Sequence, residues 1–484
     1  MVKKIFLIRA HKDLNAGGAV PPLGLLYIAS SIIKKYKDLY DIKIFNTGSS
    51  GFSAGSLAQE LERCRPDILG ISAMTCEAGL MDELAGMAKA VNKDTVVIAG
   101  GPHASLAGKM ILENKDIDFV VSGEGEEAAV ELLSALENKA GFSDIPGLSF
   151  RVAGAAVSNA PGQHPGDLDK MNILPGAWGL IDIKDYSGYP DWSGARKNKY
   201  YAPVLTSRGC PFKCFFCRSR DTFGSEFRAR SAESVIAEIV FLKEKFGIKE
   251  IHIYDDVFNY DAGRAKDICR GIIERKLGLD IAFPNGLRAD LIDDEMLGLF
   301  RLAGVYKISY GIESASARVQ KSLGKELDLE KVRNAVNKTV KAGILTNGYF
   351  ILGFPGESRQ DILETIDFAA HSSLDNASFF KFTDFPSLNA RASRGEGGLE
   401  QSHFHSPESL PGVIPVAELN GLLLKAQQRF YCGWKRIFRG FLRSPGKGAF
   451  LKNLLNALSL LILSYITMKL ARPDGERGPD RGKK

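Results

Sequence analysis

Short apolar runs of strand length alternate along most of the chain with longer segments whose apolar positions recur every three or four residues, the pattern of parallel strands joined by crossover helices. In residues 1–143 the runs at Lys3 to Ile8, Ile42 to Phe45, Asp67 to Ser72, Val96 to Ile98 and Phe119 to Ser122 predict strands. Leu23 to Tyr36, Ser56 to Arg63, Gly79 to Val91 and Glu126 to Glu137 predict helices. This order specifies a doubly wound parallel sheet, which binds ligands in the crevice beyond its strand carboxyl ends. Small and polar residues gather at those ends: Leu23 and Gly24, Ser72, Gly100 and Gly101 with His103, and Gly123 with Glu124. Glycine there lets the backbone turn tightly or approach a ligand.

Residues 144–200 change character, with Pro, Gly, Asn and Asp breaking the apolar runs, and read as an interdomain linker. Leu148 to Val152 and Ala155 to Ser158 flank Ala153-Gly154 as the arms of a small hairpin, and Trp178 and Trp192 read as packing anchors. From 201 to 390 the alternation resumes. Strands are expected at Val204 to Ser207, Ile248 to Tyr254, Asp280 to Asn285, Val305 to Gly311, Thr346 to Leu352 and Ala377 to Phe382, with helices between them. Six such units predict a partial (β/α)6 barrel, an α/β fold whose chemistry sits at the strand carboxyl ends. Residues 391–471 form a helical carboxyl-terminal region, in which Glu418 to Arg439 reads as one helix; His403 and His405, ahead of it, read as surface-loop residues. Residues 472–484 are charged and rich in Gly and Pro, a composition that stays disordered.

One stretch carries chemistry that packing does not explain: Cys210-Pro-Phe-Lys-Cys214-Phe-Phe-Cys217 follows the apolar run Ala202 to Ser207. Three thiols in so short a loop suit a soft metal or an iron–sulfur cluster. Zinc normally takes four ligands, and no fourth is evident nearby, since Cys269 lies in a helical pattern and His252 in a strand. A four-iron cluster held by three thiolates instead keeps one iron open to another ligand.

With Phe216 just before the last cysteine, Cys210, Cys214 and Cys217 resemble the cluster loop of radical S-adenosylmethionine (SAM) enzymes. The resemblance implies a 4Fe-4S cluster whose open iron chelates SAM. One electron, delivered by a donor such as flavodoxin or ferredoxin, would then cleave SAM to a 5′-deoxyadenosyl radical. It also implies roles at the strand ends. Asp255 and Asp256, adjacent carboxylates in an apolar context that are costly unless paired with a cation, match the place that binds the SAM amino group. Arg288 would pair with its carboxylate, Glu313 with the ribose or amino group, and Phe216 and the turn at Gly353 would pack near the adenine.

The loops of the first domain resemble a cobalamin-binding domain of the kind that precedes the radical SAM domain in the large family of anaerobic magnesium-protoporphyrin ester cyclases and hopanoid-modifying enzymes. Leu23, Gly24, Ser72, Gly100, Gly101, His103, Gly123 and Glu124 would then face cobalamin. Cobalamin domains that supply an axial histidine use Asp-x-His-x-x-Gly, whereas His103 has Gly101 two residues before it and Leu106 three after, so ligation of cobalt by His103 is unsupported. The function implied is methylation, or cyclisation or rearrangement, at an unactivated carbon of a small-molecule substrate, with lipid-like molecules and tetrapyrroles among the candidates. Two rivals stay open: a radical SAM enzyme without bound cobalamin, performing oxidation or cyclisation, and a non-catalytic iron–sulfur sensing protein, which would leave Asp256, Arg288 and Glu313 without a use. A methylthiotransferase would need a second cysteine trio in the first domain, where only Cys64 and Cys76 occur.

Composition adds bounds. The chain of 484 residues is 45% hydrophobic and 25% charged, ordinary for a globular protein, and its seven cysteines form no disulfide framework, which suits a reducing cytoplasm. Of the net charge of +6, the segment from Lys425 onward carries +11 and the rest −5, so the basic surface lies away from the predicted site and no nucleic-acid partner is expected. Phe450 to Ala471 is apolar but interrupted by Asn453, Asn456 and Ser459, and falls short of the roughly 20 uninterrupted residues that cross a bilayer. With Arg436, Arg439, Arg443, Lys447 and Arg472 nearby it is a candidate for peripheral contact with the inner membrane face.

Overall fold

The computed structural model describes residues 2–11, 20–173, 175–186, 196–383, 414–443, 447–448, 451 and 455. Trp192, His403 and His405, and nearly all of Phe450 to Ala471 and the tail, lie outside them. In the first domain β1 (Lys3–Arg9), α1 (Leu23–Tyr36), β2 (Tyr40–Asn46), α2 (Ala54–Cys64), β3 (Ile68–Ser72), α3 (Ala78–Val91), β4 (Val96–Gly100), α4 (Gly101–Ala107), β5 (Phe119–Val121) and α5 (Glu126–Asn138) follow the predicted alternation. The strands run parallel in the order β2-β1-β3-β4-β5, with Ile5 paired to both Ile42 and Ile68. That order reverses direction between β1 and β3, and a doubly wound sheet opens its ligand crevice at such a switch point.

The hairpin expected in the linker forms as β6 (Leu148–Val152) and β7 (Ala155–Ser158), but it is no connector. β6 pairs antiparallel with β5, so the sheet has seven strands and runs on to Ser158. Burial explains the attachment: Leu148 and Phe150 pack with Phe119 and Leu132. Farther along, α6 (Pro175–Trp178) buries Trp178, whose indole N–H donates to Glu238 at 3.4 Å. The tryptophan lies in an apolar core that also holds Leu26 and Ala29 of α1 and Val235 and Ile239 of the second domain.

The second domain has β8 (Ala202–Val204), β9 (Ser207–Arg208), α7 (Ser219–Phe223), β10 (Arg228–Ala229), α8 (Ala232–Phe246), β11 (Glu250–Ile253), α9 (Ala262–Glu274), β12 (Asp280–Leu287), α10 (Asp294–Ala303), β13 (Val305–Glu313), α11 (Ala317–Ser322), α12 (Leu329–Lys341), β14 (Leu345–Leu352), α13 (Arg359–His371) and β15 (Asn376–Lys381). Six strands, in the order β15-β14-β13-β12-β11-β8, are all parallel, and chain neighbours are sheet neighbours, as in a partial barrel. The strand expected at Val204 to Ser207 is divided: β8 ends at Val204, and β9 turns away to pair antiparallel with β10. The helix expected over Glu418 to Arg439 is likewise two, α14 (Val416–Tyr431) and α15 (Trp434–Arg443), parted at Cys432-Gly433. Leu419, Leu422, Ala426 and Phe430 of α14 are buried against the barrel. Among the described residues no helix is long and apolar enough to cross a membrane.

Candidate active site

The cysteine loop leaves β9 through Gly209, at φ +80°, where a Cβ would stand 2.0 Å from the Glu226 carbonyl. Only glycine allows that turn. The Phe215 N–H donates to the Leu323 carbonyl at 3.1 Å and the Cys217 N–H to the Cys214 carbonyl at 3.2 Å, and Phe216 packs on Phe354 with ring centres 5.6 Å apart. Cys210, Cys214 and Cys217 are half-buried. Burial pushes all three thiols up, Cys217 to about 11, while the backbone N–H groups of Phe212 and Ser219 favour the thiolates of Cys210 and Cys217. Such thiols stay protonated in water but lose their protons outright to a metal. A donor set of three clustered cysteines, supplied with N–H groups for the charge they acquire, fits a cluster. Among the described residues no group of three His, Cys, Asp or Glu side chains is gathered as around a single metal ion.

The strand ends separate the two neighbouring aspartates. Asp255, fully buried, accepts from the Thr206 N–H and the Ser207 hydroxyl, both at 2.6 Å, with Arg264 alongside at 3.7 Å. It closes the gap where β8 turns into β9, and is not placed to meet SAM as predicted. Asp256 differs: its Oδ2 is buried with no hydrogen-bond partner among the described residues, and burial pushes the carboxyl up against the pull of the nearby Ser219 hydroxyl. Its charge bears on Cys210 and Cys217. Arg288 stacks on Phe212 at 3.7 Å and holds Asp290 in a two-pronged contact, yet its Nη1 is also buried without a partner among the described residues. One orphaned acceptor and one orphaned donor beside the cysteines fit the amino and carboxylate groups of an amino acid.

Glu313 sits at φ +64°, a left-handed conformation that strains any residue but glycine. Its carboxylate folds over Gly311 and pairs with Lys325 at 2.8 Å. Lys325 was not foreseen, because nothing around Gly324-Lys325 marks it in the sequence. At Gly353 the N–H is already taken by Glu357, at 2.6 Å, so this glycine contributes a turn and no free donor.

On the first domain, Leu23 and Gly24 open α1, Ser72 ends β3, and Gly101, at φ +85°, joins β4 to α4 so tightly that a Cβ would lie 2.5 Å from the Ser72 hydroxyl. The His103 N–H donates to the Ala73 carbonyl at 3.0 Å and the Gly123 N–H to the Ser105 hydroxyl at 2.9 Å, so the loops lock to one another. Ser72, Ala73, Gly100 and Gly101 meet along this rim, where the backbone lies close to the surface. Glu124 departs from its predicted place. Its carboxylate is buried against Arg208 and Arg228 of the second domain, with His164 at 2.8 Å, and Arg208 also reaches Glu126 at 2.6 Å. Glu124 therefore ties the domains together. The same edge meets the helix that follows the cysteine loop, since α4 packs on α7 and Gly123 lies against Thr222.

Comparison with known proteins agrees with this layout. The Radical SAM superfamily model matches residues 204–369, and the B12 binding domain model matches residues 13–133. An uncharacterized methyltransferase of Pyrococcus horikoshii is 33% identical over 373 residues, spanning 76% of this chain and 77% of that one. The anaerobic magnesium-protoporphyrin IX monomethyl ester cyclase of Rubrivivax gelatinosus is 26% identical over 448 residues, spanning 90% and 78%. Among solved structures, the radical SAM methyltransferase TsrM from Kitasatospora setae, with cobalamin and a 4Fe-4S cluster bound, shares the fold with a TM-score of 0.64 at 20% identity, over 79% of this chain and 72% of that one.

Proposed function

Because the chain belongs to the radical SAM superfamily, with a B12-binding domain ahead of its radical SAM domain, we propose that it methylates an unactivated carbon of a small-molecule substrate, or closes or rearranges a ring there. The cofactors that go with these domains are a 4Fe-4S cluster, SAM and cobalamin. The observation that carries the proposal is the packing of α4 on α7, which sets the rim suited to cobalamin beside the loop suited to the cluster. The methyltransferase is the more similar of the two relatives named, which favours methyl transfer over ring closure, and the cyclase keeps a tetrapyrrole-like substrate in view.

When bound, the cluster with SAM supplies a carbon-centred radical and cobalamin a methyl group; the chain orients them and excludes water. Cys210, Cys214 and Cys217 hold the cluster, with the N–H groups of Phe212 and Ser219 offsetting thiolate charge. Asp256 takes the amino group of SAM and Arg288 its carboxylate, while Glu313, fixed by Lys325, meets the ribose. Phe216 and the turn at Gly353 pack near the adenine. A flavodoxin or ferredoxin delivers the electron, in a cytoplasm reducing enough for the cluster. The exposed Phe438 and Leu442 of α15 support peripheral contact with a membrane surface.

The test is anaerobic. Full-length protein reconstituted with iron, sulfide and hydroxocobalamin is reduced and given SAM. Bound cobalamin is read by absorbance and 5′-deoxyadenosine by chromatography, with Cys214→Ala as control. Retained cobalamin, and 5′-deoxyadenosine from the parent alone, are expected. Cleavage without retained cobalamin would favour the rival that oxidises or cyclises with SAM only, and no cleavage at all would favour the sensing protein.

A further inference from the structure

Resting on the SAM reading above, we propose that Asn259 is a positioning residue for SAM, acting through Arg288, whose backbone it holds at a fixed spacing from Asp256.

The role of Asn259 follows from where a strand runs out. β11 pairs with β12 only as far as His252 with Ala282, and then leaves the sheet as the loop that carries Asp256. β12 continues to Leu287, so Arg288 stands past the last rung on that side. Asn259 restores a rung with its side chain. Its amide N–H donates to the Arg288 carbonyl at 2.8 Å and its amide oxygen accepts the Arg288 N–H at 3.2 Å, the acceptor and donor otherwise met by a neighbouring strand. Asn259 is fully buried. Val257 and Phe258 before it are buried too, Phe258 against Phe283 with ring centres 4.9 Å apart, so the loop is anchored on its way to Arg288.

The guanidinium of Arg288 is held as closely as its backbone. Asp290 takes Nε and Nη2, and the Lys325 carbonyl also accepts from Nη2, at 3.1 Å. Phe212 of the cysteine loop lies 3.7 Å from the guanidinium and meets Tyr260, the neighbour of Asn259, with ring centres 5.9 Å apart. The cysteine loop, the loop after β11 and the loop after β12 thus close a circuit, from which Nη1 is left for a ligand. The amino and carboxylate groups of an amino acid are attached to the same carbon, so Asp256 and Arg288 serve together only if their two loops keep one spacing. Asn259 sets that spacing, because it belongs to the loop of Asp256 and bonds to both polar groups of the Arg288 backbone. A small misplacement of a charged contact of this kind costs much of its effect.

The experiment measures SAM binding without turnover, by equilibrium dialysis against full-length protein carrying an unreduced 4Fe-4S cluster, with iron content and thermal midpoint read on every sample. Asn259→Ala should bind SAM about tenfold more weakly, on the order of what one hydrogen bond contributes, at the parent's iron content. Arg288→Gln should bind at least as weakly. The double variant should bind no more weakly than Arg288→Gln alone, because a residue that acts through Arg288 then has nothing left to act on. A merely structural role would lower the midpoint and leave affinity unchanged, or would add its loss to that of Arg288→Gln; either result overturns the proposal. If Asn259→Ala loses its iron, Asn259→Ser, which keeps a hydroxyl for one of the two bonds, replaces it, and loss of iron from both shows that Asn259 serves the fold and overturns the proposal as well. Arg288→Gln binding SAM like the parent would sink the SAM reading of Arg288 and this proposal with it. Parent affinity in the Asn259 variants beside a weakened Arg288→Gln would sink this proposal alone.

Discussion

Glu357 shows how one side chain shapes the turn beyond β14. One of its carboxylate oxygens accepts the N–H groups of Gly353 and Phe354 at 2.6 and 3.1 Å, while the other is buried without a partner among the described residues. Burial pushes this carboxyl up to about 7, against those two N–H groups and from an ordinary 4.5. A carboxyl raised on folding keeps a proton that the unfolded chain has released, so stability falls as pH climbs through that interval. Glu357→Gln keeps an acceptor and cannot ionise. Its thermal midpoint should stay flatter than the parent's between about pH 5 and pH 7.5, with a gain of at most about 3 kcal/mol at the upper end; a parallel pair of profiles would refute the assignment. The adjacent Asp255 and Asp256 show where sequence stops at this scale. Both are acids after an apolar run, and only the three-dimensional course of the chain decides which meets Thr206 and which the cysteines. The cysteines were legible because their spacing is itself the chemistry.

At the scale of elements, periodicity placed α1 at Leu23 to Tyr36, the boundaries observed, because it has a full apolar stripe. What an element pairs with is not local. The β6–β7 hairpin was visible, but its attachment to β5 depends on a free sheet edge elsewhere in the chain, and the helix that periodicity alone would carry through ends at Tyr431 with Cys432 as its cap. The junction of β4 and α4 gives a test of the rim. Gly101→Ala would place a methyl 2.5 Å from the Ser72 hydroxyl and 3.2 Å from the Ala73 backbone in a left-handed conformation, a strain of about 1–3 kcal/mol. Hydroxocobalamin should bind about tenfold more weakly by absorbance titration; unchanged affinity would place the ligand elsewhere. Helix α15 gives another. Phe438 and Leu442, 59% and 58% exposed, project from a helix whose Arg436 and Arg439 already bond to carbonyls at Ala370, Ser372, Ser373 and Leu374. Full-length protein should float with anionic liposomes and a Phe438→Glu, Leu442→Glu double variant should not. Equal flotation would remove this face as the contact.

Across the whole molecule, the two domains are joined through charge as well as through the core around Trp178. Arg208 stands two residues before Cys210, between Glu124 and Glu126, with its guanidinium 4.6 Å from the Tyr27 ring, and Arg228 completes the group around Glu124. The side chains of Glu124, Arg208 and Arg228 are all 5% exposed or less, so each charge has given up its water and depends on the others. Removing one partner should therefore cost more than removing two. Glu124→Gln leaves two arginines facing a neutral amide, and about 3 kcal/mol should be lost; Glu124→Gln with Arg228→Met leaves one arginine still paired with Glu126, and should recover part of that loss in a double-mutant cycle. Burial raises the Glu124 carboxyl, but Arg208 and Arg228 outweigh it and hold it below its ordinary 4.5. A carboxyl depressed on folding contributes its stability above the unfolded value and loses it as pH falls through the folded one. Acid unfolding of the parent should accordingly steepen below about pH 4.5, in a window separate from that of Glu357, and the steepening should be absent from Glu124→Gln. Should the variant follow the parent through that window, the domains would be held by the Trp178 core alone, and the cluster loop would owe its position to packing without help from the ion pairs.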